Sequence, residues 1–438
     1  MNIAPYRNRF FSMCIMGAMK YIMNKEELTR HFVIKQCVDG KMTVKQAAER
    51  LGLKERRIKQ LKKEFKEVGV VAVIHGNANK PSPKRLPQEL VEKIIAIRKL
   101  EPLNKSNFIH FHEILAERYG ITISYSSLYR TLTGVGIKSP KNRRKKKNLH
   151  PSRPRKPALG MMLQADAAPH LWFGGSENYS LHGFIDDATS RVTGLYICKN
   201  ECLLGYLEVL RQTLTNYGIP QSLYPDQYSV FFVNPKHEQQ LSVEDQLTGV
   251  EKRLTQFGKI VERLGVDMFP AHSPQAKGRV ERLWETLQSR LPIEFALNGI
   301  SDVKAANDFL LHYIDRFNKQ FAVEPVESYS AFVPVPHTED LDRLLSVKIE
   351  RSLSSGSTIS IRNKLFKIEQ NRFPSRTKVT VLISEKFGMR ALINGAFYPI
   401  YPINKITQKV DDVVRTGDLP TVIVDLIQYY LMSDAKKP

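Results

Sequence analysis

Apolar positions recur at helical spacing through the first third of the chain and at strand spacing through much of the rest. In VKQAAERLGL, Val44, Ala47, Ala48 and Leu51 fall on one helical face. Thr43 and Gln46 form a capping-box pattern ahead of that segment, and Gly52 breaks it. Leu53, Ile58, Leu61 and Phe65 resume the period on a second helix, whose outer face carries Glu55, Arg56, Lys59, Gln60 and Lys63. A short helix, a glycine-bearing turn and a second helix with a free outer face make a helix-turn-helix pattern, predicted over residues 24–74. HGNANKPSPKRLP then reads as a linker rich in Asn, Pro and Lys. Beyond it VEKIIAIRKL is periodic, Phe108, Phe111, Leu115 and Gly120 repeat the helix-and-turn plan, and Ser124 caps YSSLYRTL. That last helix places Leu128 and Leu132 inward and Arg130 outward, so a second helix-turn-helix is predicted over residues 83–137.

From about residue 158 the pattern changes. MMLQADA is an apolar run ending at Asp166, while YSLHGFIDD and RVTGLYIC alternate as strands joined by a turn at Asp186, Asp187 and Ser190. ECLLGYLEVLRQTLTNYG is an amphipathic helix, IPQSLYPD a short strand delivering Asp226, LTQFGKIVERLG a helix and VDMF a short strand. A helix carrying Glu281 follows. Three strands, then helix, strand, helix, strand and helix give the order of a ribonuclease-H-like α/β fold, predicted over residues 158–325. Farther on, alternating Ile, Val, Leu and Phe with Gly and Asn turns predict a small β-barrel over residues 345–405. A helical tail, VIVDLIQYYLM, falls within residues 406–438. The expected architecture is multidomain, with all-α modules, an α/β core and a barrel.

Charge sharpens the picture. Against 44 Asp and Glu stand 66 Lys and Arg, a net charge of +22 in 438 residues. Such an excess points to a polyanion, most often nucleic acid. Arg56, Lys59, Gln60, Lys63 and Arg130 are the candidate DNA contacts on the two helical modules; the alternative is a plain helical hairpin with a solvated basic face. From Lys138 to Lys156 lie ten basic residues and no acid, among them Arg143, Arg144, Lys145, Lys146 and Lys147. With its prolines, the stretch 138–157 reads as an extended arm along phosphates, or else as a solvated tether. Four scattered cysteines exclude a disulfide scaffold. No stretch approaches the roughly 18 apolar residues of a membrane span; with the cysteines read as reduced thiols and DNA as the partner, a cytoplasmic, nucleoid-associated protein is expected. Arg7 and Arg9 before the apolar run from Phe10 to Met19 faintly imitate a signal peptide, but Lys20 interrupts it. Residues 1–23 are read as an extension ahead of Met23.

The chemistry concentrates in AHSPQAKGRVERLWETLQSRL, where Pro274 and Gly278 shape a helix start that carries Glu281 among Lys277, Arg279 and Arg282. A carboxylate held among cations suits a divalent metal that must sit beside phosphate, with Lys277 and Arg279 as candidate phosphate contacts. Asp166 and Asp226 are the matching acids, and three carboxylates are enough to hold two Mg²⁺ ions roughly 4 Å apart. Asp186 and Asp187 sit in a turn that favours Asp for backbone hydrogen bonds. Glu285, one turn beyond Glu281, is its rival; Trp172 and Trp284 read as core or site-wall packing.

LQADAAPHLWF, GFIDDATSR, YPDQYSVFF and the Glu281 segment resemble the integrase catalytic core of bacterial insertion-sequence transposases of the Asp-Asp-Glu type. The resemblance is nearest to the ISNCY family. It implies Asp166, Asp226 and Glu281 as metal ligands of a two-metal polynucleotidyl transferase, with Mg²⁺ as cofactor and Mn²⁺ able to substitute. It implies double-stranded DNA, both element ends and target, as partner, and a homo-oligomer assembled on that DNA, with no membrane. Asp226 and Glu281 are 55 residues apart, more than is common in this superfamily, and NPKHEQQLSVEDQLTGVEK reads as the insertion. Two rivals stand: a DNA-binding regulator that has lost catalysis, and a nuclease of DNA structures or RNA on the same fold.

Overall fold

The computed structural model describes residues 12–16, 19–23, 25–74, 85–140, 153–233, 254–271, 278–336, 340–354, 356–368, 373–403 and 420–433. Lys277, the cationic run 143–147 and the insertion 234–252 lie outside them. The chain divides into two compact units, Met1–Val91 and Glu92–Pro438.

In the first unit an antiparallel hairpin, β1 (Ser12–Met16) and β2 (Met19–Met23), precedes three helices: α1 (Lys25–Val38), α2 (Val44–Leu51) and α3 (Glu55–Val68). The apolar run that imitated a signal peptide supplies strands of this hairpin. Local chemistry sets the ends of α2. The Thr43 side chain accepts from the Gln46 N–H, the Gln46 side chain accepts from the Thr43 N–H, and Gly52 closes the helix at φ 63°, where a β-carbon is disfavoured. Val33, Ile34, Cys37, Ala47, Ile58 and Leu61 are buried together with Met23. That packing leaves Arg56, Lys59, Gln60 and Lys63 of α3 exposed.

The second unit opens with α4 (Gln88–Lys99), within which the boundary falls, then α5 (Phe108–Tyr119) and α6 (Tyr125–Gly134). Asn107 and Ser124 cap α5 and α6, and Gly120 ends α5 in the left-handed region at φ 64°. These helices belong to the same compact unit as the sheet that follows.

That sheet has five strands: β3 (Leu163–His170), β4 (Tyr179–Asp186), β5 (Val192–Cys198), β6 (Ser222–Tyr224) and β7 (Asp267–Met268), in spatial order β5-β4-β3-β6-β7. β3–β4 and β4–β5 are antiparallel, whereas β3–β6 and β6–β7 are parallel. On one face lie α7 (Leu203–Asn216) and α8 (Gln256–Arg263), packing Leu207, Leu210, Phe257 and Val261 against Leu163, Phe184 and Leu223. On the other lie α9 (Gly278–Gln288), α10 (Leu291–Leu297) and α11 (Val303–Phe321), with Trp284, Leu287, Leu310 and Ile314 over Leu181, Ile185 and Leu195. Cover on both faces explains why β4 is buried nearly end to end. Each large apolar side chain so buried contributes about 1.5–3 kcal/mol.

The outer edge of β5 is closed by side chains. Asn318 and Asn307 of α11 each bond both backbone groups of one residue, Val192 and Ile197, and Gln212 of α7 does the same for Leu195. These amides replace a neighbouring strand and remove a row of unpaired peptide groups.

A short helix α12 (Leu341–Leu344) leads to six antiparallel strands: β8 (Val347–Ser352), β9 (Thr358–Ile361), β10 (Lys364–Ile368), β11 (Lys378–Ser384), β12 (Gly388–Ile393) and β13 (Ala396–Ile403). Their order, β8-β11-β12-β13-β10-β9, makes a nearly closed, barrel-like sheet. Positive φ at Arg362 and Asn363, and at Asn394 and Gly395, forms the two-residue turns of its hairpins. Its core is continuous with that of α7 and α8, and the tail helix α13 (Thr421–Ile427) contributes Ile423 and Leu426 to it.

Candidate active site

Strand register places the first two acids. Leu163 pairs with Leu223 and Gln164 with Tyr224 across the parallel β3–β6 pair. Asp166 follows Gln164 by two residues on β3, and Asp226 follows Tyr224 by two residues just beyond the end of β6. β6 ends at Tyr224 while β3 runs on to His170, so the β3–β6 ladder stops short of Asp226. Backbone bonds from Phe269 to Leu223 and from Ala271 to Pro225 hold the Asp226 segment from its other side. Both aspartates are half-buried. A second sign of their shared neighbourhood is the Tyr206 phenol of α7. Burial holds its proton well above the ordinary range, and Glu201, Asp166 and Asp226 add to the effect.

Alternation along β3 turns Gln164 and Asp166 toward α9, and each is tied to it. The Gln164 amide oxygen accepts from the Val280 N–H at 3.2 Å, in the first turn of α9. One turn on, the Trp284 indole N–H donates to Asp166 Oδ2 at 2.8 Å. Gly183 is the cross-strand partner of Asp166, and a β-carbon there would lie 2.8 Å from the tip of the Trp284 ring and 2.8 Å from Leu195. Glycine is therefore what lets the indole lie over the strand and reach Asp166. Trp284, read from the sequence as core or site-wall packing, is buried in the core under α9 and also donates to an acid.

Glu281 stands exposed in the first turn of α9, one turn before Trp284. It heads the stripe continued by Glu285 and Gln288, which line a cleft of about 600 Å³ together with His170, Leu171 and Phe173. Burial pushes the His170 imidazole below its ordinary value. Among the described residues, no three His, Cys, Asp or Glu side chains are gathered closely enough to grip one metal ion. The structure thus tethers the Glu281 helix to Asp166 through Trp284 and sets Asp226 just past the end of β6, without closing the three carboxylates on a common point.

Asp186 and Asp187 serve the framework. Asp186 is fully buried and accepts from the Gly160 N–H and from the Thr189 N–H and hydroxyl; burial raises its carboxyl despite these donors. Asp187, equally buried, accepts from Arg153, from Arg279 at 2.5 Å, from Gln164 at 2.8 Å and from the Lys156 N–H at 2.8 Å. Arg279, read from the sequence as a phosphate contact, is here a partner of Asp187 and also donates to the Arg153 carbonyl. The reason is a pairing 92 residues away in sequence, which local spacing does not reveal. Arg153 and Arg155 of the basic stretch likewise fold back, Arg155 onto the carbonyls of Asp187 and Ala188.

Sequence reasoning passed over Glu201, Tyr206 and His182. Tyr206 falls on the leucine-patterned face of its helix and reads as core, yet its hydroxyl donates to Glu201 at 2.6 Å. His182 packs edge-on against Tyr206, its Nδ1 bonds the Tyr196 carbonyl and its Nε2 accepts the Cys202 N–H. Burial lowers that imidazole to about 4, so it is neutral. A β-carbon on Gly205 would sit 2.3 Å from the ring, which explains the glycine in α7.

Away from these acids, Arg130 of α6 is exposed beside exposed Tyr125 and Tyr129, two aromatics the sequence reading did not single out. Gln60 on α3 is bonded to Glu64, whereas Arg56, Lys59 and Lys63 share its exposed face. No described helix is long and apolar enough to cross a membrane.

No protein-family model matches the chain. It is 35% identical over 391 residues to the transposase for insertion sequence IS1202 of Streptococcus pneumoniae, covering 81% of this chain and 82% of that protein. It is 31% identical over 351 residues to the putative transposase y4bF of Sinorhizobium fredii (strain NBRC 101917 / NGR234), covering 80% and 74%. Among solved structures, the simian T-cell lymphotropic virus intasome bound to the PP2A regulatory subunit B56 gamma aligns over 63% of this chain and 90% of that one, at 12% identity and TM-score 0.29. The HTLV-2 integrase catalytic core in complex with magnesium, in dimeric form, aligns over 35% and 84%, at 15% identity and TM-score 0.22.

Proposed function

The chain belongs to the insertion-sequence transposases, and on that premise we propose that it cuts the ends of its own mobile element and joins the 3′-hydroxyls to target DNA. What supports the reading is that Asp166 and Asp226 each follow the last paired residues of the β3–β6 ladder by two positions, with the Glu281 helix tied to Asp166 through Trp284. The central sheet with its flanking helices is read as a ribonuclease-H-like core, in which these three residues do the chemistry.

Hard oxygen donors at the open end of a strand pair fit Mg²⁺, with Mn²⁺ as substitute. A carboxylate has about four lone-pair sites, so the Trp284 donor leaves Asp166 capacity for an ion. Asp166, Asp226 and Glu281 would hold the metal. When bound, a pair of such ions activates an attacking water or 3′-hydroxyl and stabilises the leaving oxygen of an in-line displacement. The protein's own part is positioning. Trp284 fixes the rotation of Asp166, Gln164 fixes the start of α9, and Asp187 anchors Arg153 and Arg279 behind it. No side chain becomes covalently attached to DNA.

The helical modules are read as helix-turn-helix elements that recognise the element end, through Arg56, Lys59, Gln60 and Lys63 on α3 and Arg130 on α6. Lys277 and the cationic run 143–147 are assigned to phosphates. Joining two ends at once calls for at least two copies of the chain on DNA.

The test is cleavage of labelled element-end DNA in Mg²⁺ by the full chain and by Asp226→Asn. The variant is expected to lose cleavage by about a thousandfold or more while binding ends with unchanged affinity. Unchanged cleavage would overturn the assignment.

A further inference from the structure

Helix α5 is joined to α10 and α11 by a seam of charged and polar groups. His110 Nε2 lies 2.9 Å from Glu294 Oε1, and both side chains are all but excluded from solvent. Arg316 reaches the same oxygen at 2.8 Å. One turn along α5, Glu113 accepts both terminal nitrogens of Arg290, at 2.5 and 3.0 Å, and the Gln320 amide at 2.5 Å. Arg118 then donates to the Leu297 carbonyl at 3.2 Å and to the Asn298 side chain at 3.1 Å, while Glu117 accepts from Arg316 at 3.3 Å. Burial alone would raise the Glu294 carboxyl, but the hydrogen bonds from His110 and Arg316 outweigh it and hold it at about 2.

Directional bonds gathered around the buried His110–Glu294 pair tolerate one docking geometry, because a slip of an ångström breaks several of them together. An apolar contact would slide more readily. The seam also leads somewhere at each end. Arg290 lies between α9 and α10, and α9 carries the Trp284 that holds Asp166. On the far side α5 packs on α6 through Phe108 against Tyr129 and His112 against Tyr125, and His112 bonds the Ile123 carbonyl at 2.6 Å. A continuous line of specific contacts therefore runs from the exposed Arg130 face of α6 to Asp166.

We propose that this seam is a ruler: by docking α5 rigidly on α10 and α11, it fixes the distance between the sequence read by α6 and the phosphate that is cut. The inference rests on the reading of α6 as a DNA-recognition helix, given above. His110, Glu113 and Glu294 then act as positioning residues for the choice of cleavage site.

The experiment uses full-length protein and end DNAs in which one or two base pairs are inserted or deleted between the recognised sequence and the cleavage point. One base pair moves the phosphate about 3.4 Å along a strand. A misplacement of about 1 Å costs on the order of 100-fold in rate, so the native protein should cut native spacing about 100-fold faster than any shifted spacing. Glu113→Ala and Glu294→Gln should bind ends as tightly but cut native and shifted DNAs at rates within about threefold, and at more than one nucleotide position. Thermal melting checks that each variant is folded. Should Glu294→Gln not fold, Arg118→Ala, at the solvent-facing end of the seam, gives the same reading in milder form. Folded variants that keep the native spacing preference would overturn the ruler, as would native protein indifferent to spacing. Arg130→Ala separates the premise from the inference. If it leaves end affinity and sequence preference unchanged, α6 does not read DNA and the premise fails, whatever the spacing series shows.

Discussion

Replacing Trp284 by Phe removes a single donor from Asp166 and tests whether positioning of that acid limits the reaction. The 2.8 Å bond runs from the indole N–H to Asp166 Oδ2; phenylalanine keeps an aromatic ring on α9 but lacks the N–H and the distal ring edge that approaches Gly183. Hydrogen bonds to a charged group contribute about 1.5–3 kcal/mol. If that orientation energy is realised in the transition state, single-turnover cleavage of end DNA falls about 10- to 100-fold. Because Asp166 is then less well aimed, the Mg²⁺ concentration for half-maximal rate should rise, a change that loss of packing alone would not produce. End-binding affinity should stay constant. Gly183→Ala approaches the same contact from the other side. Its new β-carbon would meet the indole and Leu195, both at 2.8 Å, costing about 1–3 kcal/mol of stability by overpacking and pushing Trp284 off Asp166. A Trp284→Phe protein that cleaves at the native rate with native Mg²⁺ dependence would refute the reasoning.

Two further predictions concern pH and salt. His182 has a folded value of about 4 against an ordinary 6.5, so the folded chain binds fewer protons below pH 6.5 and its stability, complete above that pH, falls by about 3 kcal/mol as pH drops toward 4. Glu294, at about 2 against 4.5, adds a second loss of similar size that begins below pH 4.5. Chemical denaturation between pH 8 and 4 should show the first loss, and His182→Gln should flatten it; a flat native profile would contradict the buried neutral imidazole. Lys63→Ala on the exposed face of α3 should weaken end binding and reduce the log–log salt slope by about one. An unchanged slope would remove Lys63 from the DNA contact.

What could be read from the chain was local or periodic. Thr43 with Gln46, Ser124, Gly52 and Gly120 mark helix ends by chemistry confined to four or five residues, and the structure has those ends. The strand and helix order of the core, and the hairpin turns at Asn363 and Asn394, followed from period and turn residues in the same way. Contacts over long separations were not legible. The meeting of Arg279 with Asp187, of Trp284 with Asp166, and of Glu113 with Arg290 joins residues that share no pattern in sequence. Nothing beside Arg279 in the sequence announces its bond to buried Asp187. The amides that close the β5 edge are equally silent, since Asn307 and Asn318 read as ordinary polar positions on α11. The second helical module was legible as helices, but neither its membership of one compact unit with the sheet nor the ion pairs along α5 could be read from the sequence.

The central claim is that Asp166, Asp226 and Glu281 share metal. Its most direct measurement is anomalous scattering from Mn²⁺ in crystals of the full chain bound to its element-end DNA. Two manganese peaks are expected, with oxygens of all three carboxylates at about 2.1 Å from one or other ion. Peaks held without Glu281, or with Glu285, Asp186 or Asp187 in its place, would contradict the assignment.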